Sequence, residues 1–338
     1  MNWEREAALR LPPLLEGWLR APVEVLSEAP REIDLALQSG GRTLLVEVKG
    51  SDDIATLERA AAHLARSRGV GVGVGVVAVP YMGPKAREWA AGRGFSWVDL
   101  SGNAEIRDSD LCIIVAGNSN RYSSAGRPSN AFTPRYARVS RALLAHPDRW
   151  WKQAEIADEV GLPSGTVSKV VQRLDGLGLL ERNDADALRA RAPSLLLDSW
   201  AQRYRFADHA VRRYHLAARS GEEALRTIAE RLGDRRGRFA ATGLSAAWLY
   251  TAFAGFRLNT FFVEQHPGDP EALGLRPVER GENVWLVVPR DEGVFYAASE
   301  RATWCAHPAQ VYLDLAFHPE RAKEAVQELR TRLLTWRA

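Results

Sequence analysis

The chain has almost no cysteine: Cys112 and Cys305 are its only two, far apart among 338 residues and both in apolar surroundings. A disulfide framework or a cysteine zinc site is therefore not expected. No apolar run reaches membrane-spanning length, and acidic residues near the N-terminus argue against a secretory signal. The net charge is only +3, so any nucleic-acid signature has to be local. We expect a cytoplasmic protein with no membrane contact.

The length and composition indicate several folded domains. The 338 residues are 46% hydrophobic and 26% charged, which is typical of a globular protein of two or three domains. The pattern of elements predicts an α/β domain over residues 1–117, a basic linker over 118–132, a helical domain with a short hairpin over 133–192, and an α+β domain over 193–338.

Residues 151–191 show the pattern of two short helices joined by a tight turn. Helices are predicted over residues 152–161 and 166–177, each with an apolar stripe at helical spacing. The stripes consist of Ile156, Ala157 and Val160, and of Val167, Val170, Val171 and Leu174. Two strands with a turn between them, a wing, are predicted over residues 179–191. The segment is therefore predicted to be a helix-turn-helix with a wing.

The outward face of the second helix carries polar side chains suited to DNA. Lys, Gln and Arg can bond base edges in the major groove, and hydroxyl groups can bond phosphates. The candidate DNA-binding residues here are Ser164, Thr166, Ser168, Lys169, Gln172 and Arg173. The segment resembles the winged helix-turn-helix of bacterial regulators. The alternative is a helical hairpin that only packs against its neighbours, and the acidic wing tip argues against phosphate contacts there.

A stretch without acidic residues precedes this segment. No Asp or Glu occurs between Asp110 and Asp148, whereas five arginines do. The helix predicted over residues 134–145 carries Arg135 and Arg138, which we expect near the DNA backbone, where phosphate contacts add affinity without sequence information. A solvated basic loop is the alternative.

In the first domain, Gly40-Gly41 lies between two alternating stretches and predicts a β-hairpin. Counting outwards from this turn places Asp34 opposite Glu47. One face of the hairpin is then apolar, and the other carries Asp34, Glu47 and Lys49. Two facing carboxylates are destabilising unless Lys49 or a divalent cation compensates them.

Two carboxylates and a lysine are the residue types that metal-assisted phosphodiester hydrolysis needs. Through Asp34 and Glu47-Val48-Lys49, the domain resembles the PD-(D/E)xK nucleases, which have the restriction-endonuclease-like fold. The resemblance implies that Asp34, Glu47 and Lys49 are catalytic and that Asp34 and Glu47 bind Mg²⁺ or Mn²⁺. The alternative is a salt-bridged strand pair in an inactive scaffold.

The C-terminal region contains Thr242-Gly243-Leu244-Ser245-Ala246-Ala247 and a predicted helix over residues 310–315 that follows Pro308. In this order, after a winged helix, these runs resemble the AbiEi family of type IV antitoxins. The resemblance covers residues 133–338 and implies a DNA-binding repressor whose last domain is related to nucleotidyltransferases. Nucleotidyl transfer would need paired carboxylates on the next strand, and residues 261–264 offer only Glu264, so an inactive domain is expected.

Three interpretations result. The leading one is a sequence-specific DNA-binding transcriptional regulator resembling an AbiEi antitoxin, which binds double-stranded DNA as a homodimer and has a toxin or another protein as a further partner. The alternative is a metal-dependent DNA endonuclease or DNA-repair protein using Asp34, Glu47 and Lys49, with Mg²⁺ or Mn²⁺ as its cofactor. In the third, both end domains are inactive scaffolds that bind a protein. Whether the chain is an enzyme therefore stays open.

Overall fold

The structure is a computed structural model that describes residues 2–26, 33–67, 73–122, 131–253, 255–318 and 322–336. It forms two compact units, Met1–Pro128 and Ser129–Ala338, so the division falls inside the range predicted as a linker. Residues 123–130 of that linker lie outside the described residues. Each unit contains a seven-stranded sheet with both parallel and antiparallel pairs, and the protein is therefore a mixed α/β protein. Among the described residues, no helix is long and apolar enough to cross a membrane.

The described residues of unit 1 form seven strands in sequential order and three helices. Its elements are α1 (Trp3–Leu19), β1 (Glu24–Val25), β2 (Leu35–Ser39), β3 (Arg42–Val48), α2 (Ile54–Ser67), β4 (Val74–Val79), α3 (Pro84–Arg93), β5 (Ser96–Asp99), β6 (Ala104–Asp108) and β7 (Leu111–Val115). The strands β3, β4 and β5 are parallel and form the centre of the sheet, whereas the remaining neighbours are antiparallel.

The β2–β3 hairpin has the predicted register. Ser39 pairs with Arg42 and Leu35 with Val46, which confirms the count outwards from Gly40-Gly41. Both glycines have positive φ, 55° and 78°, as the tight turn that matches strand twist requires. The apolar face of this hairpin belongs to the core that includes Ala7, Leu11 and Leu15 of α1. The opposite face of β3 and β4 packs against α2.

Three elements of unit 1 have weak or contrary local signals. The helix α1 continues through Pro12 and Pro13, although proline lacks the backbone N–H that a helix interior uses. The strand β1 has only two residues, and β6 follows a turn-forming Ser-Gly-Asn sequence. Burial of Ala7, Leu11 and Leu15 along one face of α1 accounts for its continuity, since tertiary packing outweighs the local preference of proline.

Unit 2 begins with a helical segment and a hairpin and continues into a second sheet. The first part contains α4 (Ala137–Ala145), α5 (Gln153–Val160), α6 (Ser164–Gly176), β8 (Leu180–Arg182) and β9 (Leu188–Ala190). The second part contains α7 (Pro193–Arg203), β10 (Ala210–Leu216), α8 (Gly221–Gly233), β11 (Phe239–Thr242), α9 (Gly243–Thr251), β12 (Asn259–Val263), β13 (Leu275–Pro277), β14 (Val284–Val288), β15 (Ser299–Glu300), β16 (Trp304–Cys305), α10 (Pro308–Leu315) and α11 (Ala322–Leu333).

The helix α5 is capped by Gly161, whose φ of 63° is the left-handed conformation that favours glycine. A short turn with buried Leu162 then leads into α6. The predicted stripe of α6 is buried: Val167, Val170, Val171 and Leu174 are at most 1% exposed. The strands β8 and β9 form an antiparallel hairpin after α6, and Trp151 bridges to Leu188 as a third short pairing.

The second sheet has the strand order β13-β10-β14-β12-β11-β16-β15. Two segments of this part do not follow from their local sequence. The helix that begins at Pro193 ends with α7, and Tyr214 lies in β10, which is paired on both sides by β13 and β14. Residues 294–296 are an apolar run of strand-forming types, but Glu292–Phe295 is a 3₁₀ turn. In both places, contacts distant in sequence decide the backbone conformation.

Candidate functional site

The helix α6 presents a row of polar side chains on the face opposite its buried stripe. Ser164, Ser168, Lys169 and Gln172 are exposed, and Thr166 and Arg173 are half-buried. Within the described ranges, no hydrogen bond or ion pair engages the side chains of Ser168, Lys169 or Gln172. Three neighbouring donors therefore remain available for a ligand outside the chain.

Two arginines lie at the edge of this row, one on α6 itself and one before α4. The Arg173 guanidinium lies 5.1 Å from the centre of the Tyr136 ring, a cation–π contact that joins α6 to the residue before α4. Arg135, adjacent to Tyr136, is exposed. Arg135 thus adds a second exposed positive charge near α6, beside the Tyr136 ring that Arg173 contacts.

Arg138 lies in a different environment from the one predicted. Its guanidinium forms a two-pronged ion pair with Asp291, with distances of 2.8 and 2.9 Å, and also contacts Glu292 at 3.2 Å. The Arg138 side chain is only 17% exposed. The prediction of a DNA-backbone contact by Arg138 is not supported by this placement, because two carboxylates of the same unit already neutralise its charge.

The β8–β9 hairpin is held by its own ion pairs. Arg182 contacts both Asp175 at the end of α6 and Asp186 in the hairpin turn, at 3.3 and 2.7 Å. Asp186 has a φ of 56°, consistent with a tight turn. Arg182 is therefore occupied, and the hairpin tip retains the acidic character that the sequence indicated.

In unit 1, the hairpin brings together the three residues predicted as catalytic. Lys49 Nζ lies 2.6 Å from Glu47 Oε1 and 3.4 Å from Asp34 Oδ2. The backbone N–H of Val48 donates to Asp34 Oδ2 at 2.7 Å, which fixes this carboxylate across the hairpin. Glu47 is 5% exposed. Lys49 thus stands between the two carboxylates and compensates their repulsion.

His63 of α2 completes what we call the acid cluster, together with Asp34, Glu47 and Lys49. Its Nδ1 lies 3.1 Å from Glu47 Oε2, at ion-pair distance, although the geometry does not satisfy a hydrogen bond. Sequence reasoning missed His63. A signal existed: His63 lies three residues after buried Ala60 and one before buried Leu64, at the border of the apolar face of α2.

The acid cluster offers two carboxylates to a metal ion, namely those of Asp34 and Glu47. Within the part of the chain that the structure describes, no group of three or more His, Cys, Asp or Glu side chains is arranged to hold one. Mg²⁺ is commonly held by one or two carboxylates, with water and phosphate oxygens filling the remaining positions. The residues fit such a sparsely ligated cation, provided that the Lys49 ammonium moves away from the carboxylates.

Two other acidic residues of unit 1, Asp52 and Asp99, have structural roles. Asp52 Oδ2 accepts from the backbone N–H of Gly83 at 2.9 Å, which joins the loops after β3 and β4. Asp99 is fully buried and accepts hydrogen bonds from the backbone N–H of Met82 and from the backbone and side-chain amides of Asn103. The Ser-Gly-Asn sequence after β5 therefore stabilises a loop, as the turn-forming residue types indicate.

A buried polar cluster lies between α4 and the second sheet. Asp314 of α10 is fully buried and accepts from Thr242 Oγ1 at 2.5 Å, from the Tyr204 hydroxyl and from Gln310 Nε2 at 2.9 Å. Gln310 Oε1 in turn accepts from Arg141 Nη2 at 2.7 Å. Burial raises the pKa of the Asp314 carboxyl to about 6. Gly243, at the start of α9, has no room for a side chain, because His318 Nε2 would lie 2.4 Å from an added Cβ.

The comparisons with known proteins give one weak structural similarity. The chain is similar to a solved structure titled "Crystal Structure of Protein of Unknown Function AF1548", with 12% sequence identity and a TM-score of 0.23, over 52% of this chain and 99% of that one. No protein-family model and no curated protein matches the chain.

Proposed function

We propose that this protein is a sequence-specific DNA-binding regulator that uses α6 as its reading helix. The observation that carries the proposal is the row of exposed, unengaged polar side chains at Ser168, Lys169 and Gln172, opposite a fully buried stripe. Side chains of these types bond base edges and phosphates. The segment before the second sheet is then a winged helix-turn-helix, and Ser164, Thr166, Arg173 and Arg135 are flanking contacts.

The first test is the loss of DNA binding after removal of two basic side chains from α6. The double variant Lys169→Ala/Arg173→Ala is compared with the wild type in gel shifts on the protein's own promoter fragment. We expect a loss of roughly 10- to 100-fold, because a good base contact contributes about 1–3 kcal/mol. The control Arg226→Ala/Lys323→Ala removes two exposed charges elsewhere in unit 2. Equal binding by all three proteins would refute the proposal.

The resemblance to AbiEi antitoxins supports a repressor with a protein partner. In this proposal the last domain is nucleotidyltransferase-like and inactive, because the strand β12 has Thr260 and Phe262 on one face and Glu264 follows its end in an ion pair with Arg238. Regulators of this kind usually read palindromic sites as dimers, so we expect a homodimer on DNA. Sedimentation of the protein with a two-fold symmetric promoter fragment tests this expectation.

A second function is favoured by the acid cluster. We propose that unit 1 is a PD-(D/E)xK-like domain in which Asp34 and Glu47 would hold Mg²⁺ or Mn²⁺. Such an ion would activate water and stabilise the charge that develops on a scissile phosphate. The chain's own contributions are specific: Val48 N–H orients Asp34, Lys49 places a positive charge beside Glu47, and His63 borders the other Glu47 oxygen.

Two measurements test the second function. Plasmid cleavage with Mg²⁺ or Mn²⁺ should be lost in Asp34→Ala, Glu47→Ala and Lys49→Ala, while the gel shift persists. Calorimetric titration with Mn²⁺ gives a readout without DNA: Asp34→Ala should abolish binding, whereas Lys49→Ala should tighten it by removing a competing ammonium. If the protein binds DNA but neither cleaves it nor binds metal, the regulator is the function that remains supported. If DNA binding, cleavage and metal binding are all absent, the results favour a protein-binding scaffold.

A further inference from the structure

Arg138 and Arg141 lie one turn apart on α4 and both face the second part of unit 2. Gly293, in the 3₁₀ turn after β14, lies close to both arginine side chains. A Cβ added to Gly293 would lie 2.8 Å from Arg138 Cγ and 3.4 Å from Arg141 Nη1. Glycine at this position is therefore what allows the turn to reach the arginines.

The residues Asp291–Tyr296, which we call the clamp segment, hold the end of α5 through two contacts. Arg138 joins the Asp291 carboxylate to the carbonyl oxygen of Val160, which its Nη1 contacts at 3.2 Å. The Tyr296 hydroxyl donates to Glu159 Oε1 at 2.8 Å. Glu159 and Val160 are the last two residues of α5. The clamp segment is thus attached to the last turn of the helix that precedes the reading helix.

The connection from α5 to α6 is short and tightly bonded. Gly161 and Leu162 donate backbone hydrogen bonds to Asp158 and Ala157 of α5, and Val167 donates one to Pro163. Leu162 is buried. Because three residues separate the two helices and their backbone is fixed on both sides, a displacement of the end of α5 also displaces the start of α6.

We propose that Arg138 and Asp291 are positioning residues for DNA recognition: the clamp segment fixes the orientation of α6, and DNA affinity depends on an ion pair that does not touch DNA. The Asp291 side chain is 10% exposed and both its oxygens accept from Arg138. This inference rests on the proposed DNA-reading function and adds that the C-terminal part of unit 2 is needed for it.

The sign of the effect separates positioning from general electrostatics. Asp291→Asn makes the protein more positive by one charge, which alone would strengthen binding to DNA. Positioning predicts the opposite, a loss of affinity of about tenfold or more. The matched control Asp234→Asn removes an exposed carboxylate elsewhere in unit 2 and should bind as tightly as the wild type or slightly more tightly.

Salt dependence separates positioning from a phosphate contact. The Kd for the promoter fragment is measured by fluorescence anisotropy over a range of KCl concentrations. The slope of log K against log salt is negative, and loss of one phosphate contact reduces its magnitude by about 0.9. We expect Arg138→Ala and Asp291→Asn to weaken binding with an unchanged slope. A lower slope for Arg138→Ala, together with wild-type or tighter binding by Asp291→Asn, would overturn the proposal.

A measurement without DNA keeps the two proposals distinguishable. Hydrogen exchange at Gly161–Thr166 should become faster in Asp291→Asn and stay unchanged in Lys169→Ala. Unchanged exchange in Asp291→Asn overturns the clamp even if the protein binds DNA. Faster exchange supports it even if no DNA site is found. If Asp291→Asn does not fold, Tyr296→Phe replaces it in these measurements. This variant removes only the hydroxyl that donates to Glu159, and it should show the same loss of DNA affinity and the same faster exchange at smaller size.

Discussion

The acid cluster of unit 1 and the outer face of α6 each contain a lysine, and the two lysines are in opposite situations. In the acid cluster, Lys49 contacts both carboxylates and Glu47 is almost fully buried. On α6, Lys169 is exposed, and no ion pair with another described residue engages it. A ligand of the acid cluster has to replace contacts that the protein already makes, whereas a ligand of α6 meets unoccupied donors. The comparison favours α6 as the more accessible binding surface.

Stability should separate the two lysines most strongly. Lys49→Ala leaves one carboxylate oxygen of the buried Glu47 without a positive partner. We expect the free energy of unfolding to decrease by about 2–3 kcal/mol, somewhat less than for a fully buried ion pair. Lys169→Ala removes an exposed side chain and should change stability by less than about 0.5 kcal/mol. Urea denaturation followed by tryptophan fluorescence measures both. Equal midpoints for the two variants would contradict the comparison.

We expect acid to destabilise unit 2, because three of its histidines have a lowered pKa. Burial lowers the pKa of His318 to about 4. In the unfolded chain the pKa of a histidine is near 6.5, so the unfolded state takes up a proton at a higher pH than the folded state does. The histidine therefore stabilises the fold above pH 6.5, and this stability decreases below pH 6.5 and is lost as the pH falls through 4. His209 and His307 share this shift, whereas the raised pKa of Asp314 acts in the opposite direction between pH 6 and 4. Lowering the pH from 7 to 5 should therefore decrease the Tm of unit 2.

The variant His318→Gln tests that assignment. It should lose roughly 1–2 kcal/mol less than the wild type over the same pH interval, because one proton uptake linked to unfolding is removed. Calorimetric scans at pH 7, 6 and 5 measure the difference. An identical pH dependence in both proteins would show that His318 does not contribute.

The smallest effect is expected for Arg135. Its exposed side chain is three residues from the engaged Arg138, so the pair tests exposure against engagement on one short stretch. Arg135→Ala should reduce DNA affinity a few-fold and lower the salt slope by about 0.9, as the loss of one phosphate contact does. An unchanged slope would exclude Arg135 from the DNA-binding surface.

Local features of the molecule were predictable from neighbouring residues. The Gly40-Gly41 turn sets the β2–β3 register because its two positive φ angles match strand twist. The stripe of α6 follows from helical spacing, and the exposed residues opposite it follow from the same period. Such features depend on contacts within a few residues, so the sequence contains the information directly.

Features that depend on distant partners were not predictable. Arg138 reads as one more arginine in a basic stretch until Asp291, far along the chain, is placed beside it. His63 is an ordinary helix residue until α2 packs against β3. The strand β10 has mostly exposed residues and alternates only over residues 213–216, and its pairing with β13 and β14 makes the whole of residues 210–216 a strand.

The sequence by itself determined the hairpin that gathers Asp34, Glu47 and Lys49, and the polar face of α6, because turn chemistry and helical period act locally. Only the tertiary structure decided which charged groups remain available. An ion pair forms when the fold brings two side chains within a few ångströms, and no spacing along the chain encodes that distance. The sequence predicted a DNA contact for Arg138, but the structure pairs Arg138 with Asp291 of the clamp segment, whereas Lys169 is exposed.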